Sequence, residues 1–170
     1  MRAWLANLFL LGLILLVSLQ IDRSAASLPE LVADHFVAGG LANGYAAKVS
    51  YIHLMQALVI ALPGLFGLLL PALLRLSGER IRLPNRDYWL APPHYEATLA
   101  FLATGLRWLA VWQLLLLGYV HTLIVEANRL HPPRLAEGRF EIGMLLFVGG
   151  LVVWLLLVLW RFGRQPPRGQ

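Results

Sequence analysis

Cysteine is absent from the 170 residues. That excludes a disulfide-built secreted domain and thiol redox chemistry. Charge is scarce: Asp, Glu, Lys and Arg together make up 14% of the chain, against about 25% in ordinary soluble domains. A soluble protein of this length must cover its surface with polar groups, and too few are present. Long polar tracts are missing as well, which excludes a disordered chain. No P-loop and no G-x-S-x-G elbow occurs, so the chain reads as non-enzymatic. What is abundant is apolar: 59% of the residues are hydrophobic, against roughly 45–50% ordinarily, and the mean hydropathy is +0.68. This is the composition of a polytopic membrane protein.

Four apolar blocks run from about Trp4 to Leu19, Tyr51 to Leu74, Trp108 to Val125 and Ile142 to Trp160. Crossing a hydrocarbon core of ~30 Å takes about 20 mostly apolar helical residues. No block alternates with period two, as a membrane barrel would, and a helix satisfies its own backbone in lipid. The expectation is an all-α, integral membrane four-helix bundle forming a single domain over residues 1–170. Its helices lie near 4–20, 51–75, 99–125 and 142–161. An ordered outer loop (21–50), a cytoplasmic loop (76–98), a second outer loop (126–141) and a cytoplasmic tail (162–170) complete it. Arg2, the first apolar block and Ser24-Ala25-Ala26 also resemble a signal peptide, but Asp22 and Arg23 immediately before such a cut favour a retained anchor.

The net charge of +5 comes from thirteen Arg and one Lys. These residues lie between the apolar blocks and in the tail, the placement of membrane anchors rather than of a nucleic-acid surface. Eight of them (Arg2, Arg75, Arg80, Arg82, Arg86, Arg161, Arg164 and Arg168) fall on the side shared by both termini, and five on the other. The bias predicts both termini in the cytoplasm and a multi-pass protein of the bacterial inner membrane. Trp4 and Trp160 suit the inner interface, Tyr51 and Tyr119 the outer one. The lipid bilayer is the expected partner, with a membrane-protein partner or a second copy also possible, and no nucleic acid.

In the cytoplasmic loop, Pro84-Asn85 disfavours a helix and Pro92-Pro93 prepares one. From His94 onward, Leu99, Leu102, Leu106 and Leu109 recur at helical spacing, so the third helix is expected to begin before the bilayer. Between them, Arg86, Asp87, Tyr88 and Trp89 read either as interfacial anchors or as a docking surface, with Arg86 and Asp87 expected to pair locally or with a helix end. Pro63-Gly64 predicts a kink in the second helix. Gly143 and Gly149-Gly150 predict close approach of a partner to the fourth.

Four of the five His fall on the outer side in this topology. His53 and His121 have similar depth, about one turn inside, and intramembrane ionisable groups are functional candidates. Three uses are open: hydrogen bonds between helices, a divalent metal, or a haem b held by His53 and His121. No H-x-x-x-H or H-E-x-x-H spacing favours the last two, and Glu126 is a poor partner for His121. The expectation is no cofactor, with haem or metal as the alternative. Gln56 and Gln113 are expected to bond between helices.

The first outer loop carries the most specific pattern. Leu28-Pro29, Val32, His35-Phe36, Gly40, Tyr45 and Lys48 fall without a gap on L-P-x-x-[IV]-x-x-H-F-N-x-x-G-x-P-D-x-[WY]-x-x-K. Val37, Ala42 and Asn43 stand where that pattern has Asn, Pro and Asp. Over about residues 1–75 the chain thus resembles a bacterial membrane-protein family of unknown function found in SdpI-type immunity proteins. The resemblance implies sensing of, or immunity toward, an extracytoplasmic agent, or an accessory role in a membrane complex. His35, Phe36, Gly40, Tyr45 and Lys48 are then the recognition candidates. A haem- or metal-binding subunit is the competing reading. From the residues themselves, 29–36 are expected to form a short helix with Leu31, Val32 and Phe36 on one face. Gly39-Gly40 and Asn43-Gly44 are expected to form turns. That helix lies either along the membrane surface or as a cap over the bundle, with Leu31 and Phe36 toward the bundle and His35 at the rim.

Overall fold

The computed structural model describes residues 3–77 and 80–164. Arg2 and Arg168, counted in the charge bias, lie outside them, as does most of the expected tail. The elements are α1 (Ala3–Ala25), β1 (Leu31–Phe36), β2 (Ala42–Ala47), α2 (Lys48–Gly64), a π-helical turn (Leu65–Leu69), α3 (Leu70–Ser77), α4 (Arg86–Trp89), α5 (Pro92–Ala127) and α6 (Arg139–Gly163). Four helical stretches are long and apolar enough to cross a bilayer: Trp4–Ala25, Lys48–Ser77, Pro92–Ala127 and Arg139–Gly163. Each extends past the expected bounds by a few residues. At α5 the extension begins at Pro92, because proline is tolerated in a first turn and Ala91 ahead of it is extended.

The expected all-α class needs a correction. The loop between the first two spans holds an antiparallel hairpin, with Leu31 opposite Ala47, Val32 opposite Ala46 and Ala33 opposite Tyr45. Residues 31–36 are therefore a strand and not a helix. A six-residue apolar run fits either state, and here the turn decides. Gly39 and Gly40 take φ of 89° and 78°, values that let the chain reverse. Asn43-Gly44, expected as a turn, lies within β2, where the register slips. The inward face changes with the geometry. Val32 and Ala33 are fully buried, whereas Leu31 is 66% exposed. Phe36 does pack on the core, as expected.

α1, α2 and α5 pack around one core in which Ile21, Val32, Tyr51, Met55, Val59 and Leu114 meet. Pro63 brings no N–H to the α2 ladder, and the wider π turn follows directly. Gly67 in that turn faces Leu10 and Ala110 so closely that a Cβ would strike the Leu10 side chain. The missing side chain at Gly67 thus lets three helices meet. α6 packs against α5. Its seam sets aromatic rings over glycines: Trp112 over Gly150, Tyr119 over Gly143, and, from the other helix, Trp154 over Gly105. Successive steps on α5 are seven residues apart, two helical turns. The Trp112 indole N–H donates to the Phe147 carbonyl (3.3 Å) and the Tyr119 hydroxyl to the Arg139 carbonyl (2.8 Å).

Candidate functional site

The hairpin is fastened to the bundle at three places. At its base, the Lys48 N–H donates to the Glu30 carbonyl (2.9 Å), and the Lys48 ammonium stands 3.7 Å from the Glu30 carboxylate. At its middle, Asn128, buried just past the end of α5, treats Ala33 as a strand neighbour. Its Oδ1 accepts from the Ala33 N–H (2.8 Å), and its Nδ2 donates to the Ala33 carbonyl (2.9 Å) and to the Ile124 carbonyl (2.9 Å). At its tip, Leu135 N–H donates to the Gly40 carbonyl (2.8 Å) and Ala42 N–H to the Pro133 carbonyl (3.3 Å). The Arg134 guanidinium reaches the Gly39 carbonyl (3.2 Å). The two loops at this end are therefore one bonded surface. Beside the tip, an open cleft of about 530 Å³ is lined by Leu123, Leu130 and Leu135, with Glu126, Arg134 and Glu137 at its edge.

These contacts sort the pattern residues. Leu28 and Val32 are core, Phe36 packs on it, Gly40 is the tip and Lys48 the base. Their roles are architectural. His35 and Tyr45 instead point outward: the His35 side chain is 77% exposed and Tyr45 54% exposed. His35 Nδ1 lies 2.9 Å from the carboxylate of Asp34, which is itself only 14% exposed. The backbone behind His35 is tight, since a Cβ on Gly44 would come 2.8 Å from the His35 Cβ.

Below the hairpin lies a polar chain between the helices. His121 is buried, with Nε2 2.6 Å from the Ser24 hydroxyl of α1 and Nδ1 2.9 Å from the Tyr51 hydroxyl of α2. The Tyr51 and His121 rings stack at 5.8 Å and 17°. Ser24 Oγ also lies 2.9 Å from the carbonyls of Gln20 and Ile21. It has one proton to give, and with that proton on the α1 carbonyls it accepts from Nε2–H, so Nδ1 accepts from Tyr51. One turn deeper, Gln56 donates to the Ser18 carbonyl (3.0 Å) and the Asp22 carboxylate (2.8 Å), an interhelical role as expected. The expected bond from Gln113 is not made, and its Oε1 is buried without a partner.

His53 and His121 are not brought together. Tyr51 is the α2 residue that reaches His121, and His53, two positions on, sits on an exposed face. Both nitrogens of His121 are already hydrogen-bonded. Among the described residues no group of three His, Cys, Asp or Glu side chains is placed to hold a metal ion. Glu126 pairs with Arg139 rather than with His121.

At the opposite end, Arg86, Asp87, Tyr88 and Trp89 form α4. Arg86 and Asp87 approach each other at 3.9 Å. Their neighbours bond to a helix end. Asn85 donates to the carbonyls of Phe162 (2.9 Å) and Arg164 (3.0 Å), and the Trp89 indole to that of Phe162 (3.3 Å). Thr98 in the second turn of α5 holds the Trp89 carbonyl (2.8 Å). α4 is thus a clasp that closes the last turn of α6 onto α5.

Comparison with protein-family models, curated proteins and solved structures gives no match. Ser24 and Asn128 were not signalled by the sequence. Each is a single polar residue with a partner on another element more than ninety positions away.

Proposed function

We propose that the chain is a multi-pass protein of the bacterial inner membrane, SdpI-like in its first loop, and that its hairpin senses or confers protection against an extracytoplasmic agent. In this reading both termini are cytoplasmic and the hairpin faces outward. One observation carries it. An exposed histidine at the rim, His35, is bonded to the nearly buried Asp34, and below the hairpin the Tyr51–His121–Ser24 chain joins α1, α2 and α5. Val32 of the same strand shares the core with Tyr51, so the hairpin that presents His35 is packed on the helices that carry this chain. Tyr45, exposed on β2, supplies an aromatic face on the same hairpin.

Sidedness is tested by reporter fusions. Fusions after Gly44 and Arg134 are expected to read outside, and fusions after Arg86 and Arg164 inside; the reverse pattern overturns the outward-facing hairpin. Recognition is tested with His35→Asn and Tyr45→Ala, scored by survival of expressing cells in medium conditioned by competing bacteria. If His35 recognises the agent, His35→Asn abolishes protection at unchanged protein level. If it is structural, the variant keeps protection and costs on the order of 1 kcal/mol of stability. Haem or metal at His53 and His121 is distinguished by a Soret band or stoichiometric metal in the purified protein.

A further inference from the structure

The end of the bundle that carries α4 holds an arginine whose surroundings are unusual. Arg161, in the last turn of α6, is boxed by three aromatic rings. Its guanidinium carbon lies 4.4 Å from the ring centre of Phe101, 5.6 Å from that of Trp89 and 5.9 Å from that of Phe162. The rings are themselves fixed, with Phe162 edge-on to both Trp89 (5.4 Å) and Phe101 (5.6 Å). Trp89 is tied by its indole N–H to the Phe162 carbonyl. Ring faces attract the cation, but they accept none of the five N–H groups that lie in the guanidinium plane. The Arg161 Nε is buried and has no hydrogen-bond partner, and among the described residues no carboxylate pairs with Arg161.

A guanidinium is always charged, and leaving its Nε–H unbonded away from water is costly. The site is thus complete on its faces and incomplete at its edge. Next to it, Arg164 sits 3.6 Å over the ring centre of Trp160, a second arginine held flat by an aromatic, three residues on and so on nearly the same side of the helix. Asn85 and Trp89 already occupy two of the carbonyls at this helix end, those of Phe162 and Arg164. The position matters too. Arg161 ends the apolar span Arg139–Gly163, where the phosphates of a bilayer lie. A forked donor set matches phosphate oxygens two at a time.

We propose that Arg161, held by Trp89, Phe101 and Phe162, binds the phosphate diester of a membrane phospholipid through its free edge, with Arg164 on Trp160 as the second donor. The shared chemistry is a phosphate anion, and the bilayer is its source. α4 in this view is more than a clasp, because Trp89 forms one wall of the site.

The test uses the full chain purified in a mild detergent. Native mass spectrometry is expected to show retained phospholipid, and a titration with short-chain phosphatidylglycerol to show saturable binding. Arg161→Gln should lower both by about tenfold or more, the loss of at least ~1.4 kcal/mol. Arg161→Lys keeps the charge and the long stem and loses the fork, so it should fold and fall in between. Circular dichroism and gel filtration verify each fold, and should Arg161→Gln not fold, the Lys variant and Arg164→Gln decide. Equal lipid retention by the wild type and these variants overturns the proposal. Inorganic phosphate competing as well as the short-chain lipid also overturns it, since the source would then be a soluble phosphate.

Discussion

Asn128→Ala is expected to release the hairpin from the bundle. The substitution removes three hydrogen bonds and, more importantly, orphans the N–H and carbonyl of Ala33, which is fully buried. An unsatisfied buried polar group costs roughly 1–3 kcal/mol, so two of them put the loss at roughly 2–6 kcal/mol. Opening the hairpin lets water reach those groups and limits the loss, at the expense of exposing Val32. The expected result is therefore a protein that keeps its helices and loses its hairpin. Limited proteolysis should cut between residues 31 and 47 in Asn128→Ala and not in the wild type, while the helical circular dichroism stays the same. Asn128→Asp is a sharper version, because a carboxylate cannot donate to the carbonyls of Ala33 and Ile124. A hairpin as resistant to protease in both variants as in the wild type would show that Asn128 does not hold it.

Gly40→Ala should be the most damaging single methyl group in the chain. Two penalties coincide there. The residue has φ of 78°, where an L side chain is strained, at about 1–3 kcal/mol. The new Cβ would also run into the Leu135 carbonyl oxygen, which belongs to backbone and cannot swing aside as a side-chain end would; relieving such overpacking costs about 1–3 kcal/mol more. Gly39 is the internal control. It has a similar φ of 89° but no atom within 4 Å of the added Cβ, so Gly39→Ala carries the first penalty and not the second. Thermal unfolding in detergent should rank the wild type above Gly39→Ala and Gly39→Ala above Gly40→Ala. Equal melting temperatures for the two variants would mean that the tip does not bear on the 133–135 segment.

These two residues show which parts of the molecule are legible in the sequence. The four spans are, because each needs only a local surplus of apolar residues. The close approach at Gly143 and Gly150 was legible as small residues, but their occupants, Tyr119 and Trp112, belong to another helix. The strand at 31–36 was misread because Leu31, Val32 and Phe36 satisfy helical spacing over a stretch too short to separate the two periods. What fixes that stretch as strand is a glycine turn ahead of it and an asparagine far down the chain. The aromatic box around Arg161 joins α4, α5 and α6, and only folding brings Trp89, Phe101 and Phe162 to one point. His35 is exposed as expected but on a strand and beside Asp34, and His53 is turned from the face on which Tyr51 meets His121 by helical phase. Tyr51, two residues away, faces inward, so His53 faces out.

α5 differs from the other spans in how it is held. Its 36 residues make a rod of about 54 Å, well beyond a hydrocarbon core of ~30 Å. Asn128, directly after its last residue, grips the hairpin, and Thr98 near its start grips α4. Between these two grips α1, α2 and α6 pack directly along its length. The rod therefore carries a fitting at each end, and the hairpin and α4, some fifty ångströms apart by the same rise per residue, are both tied to a single helix.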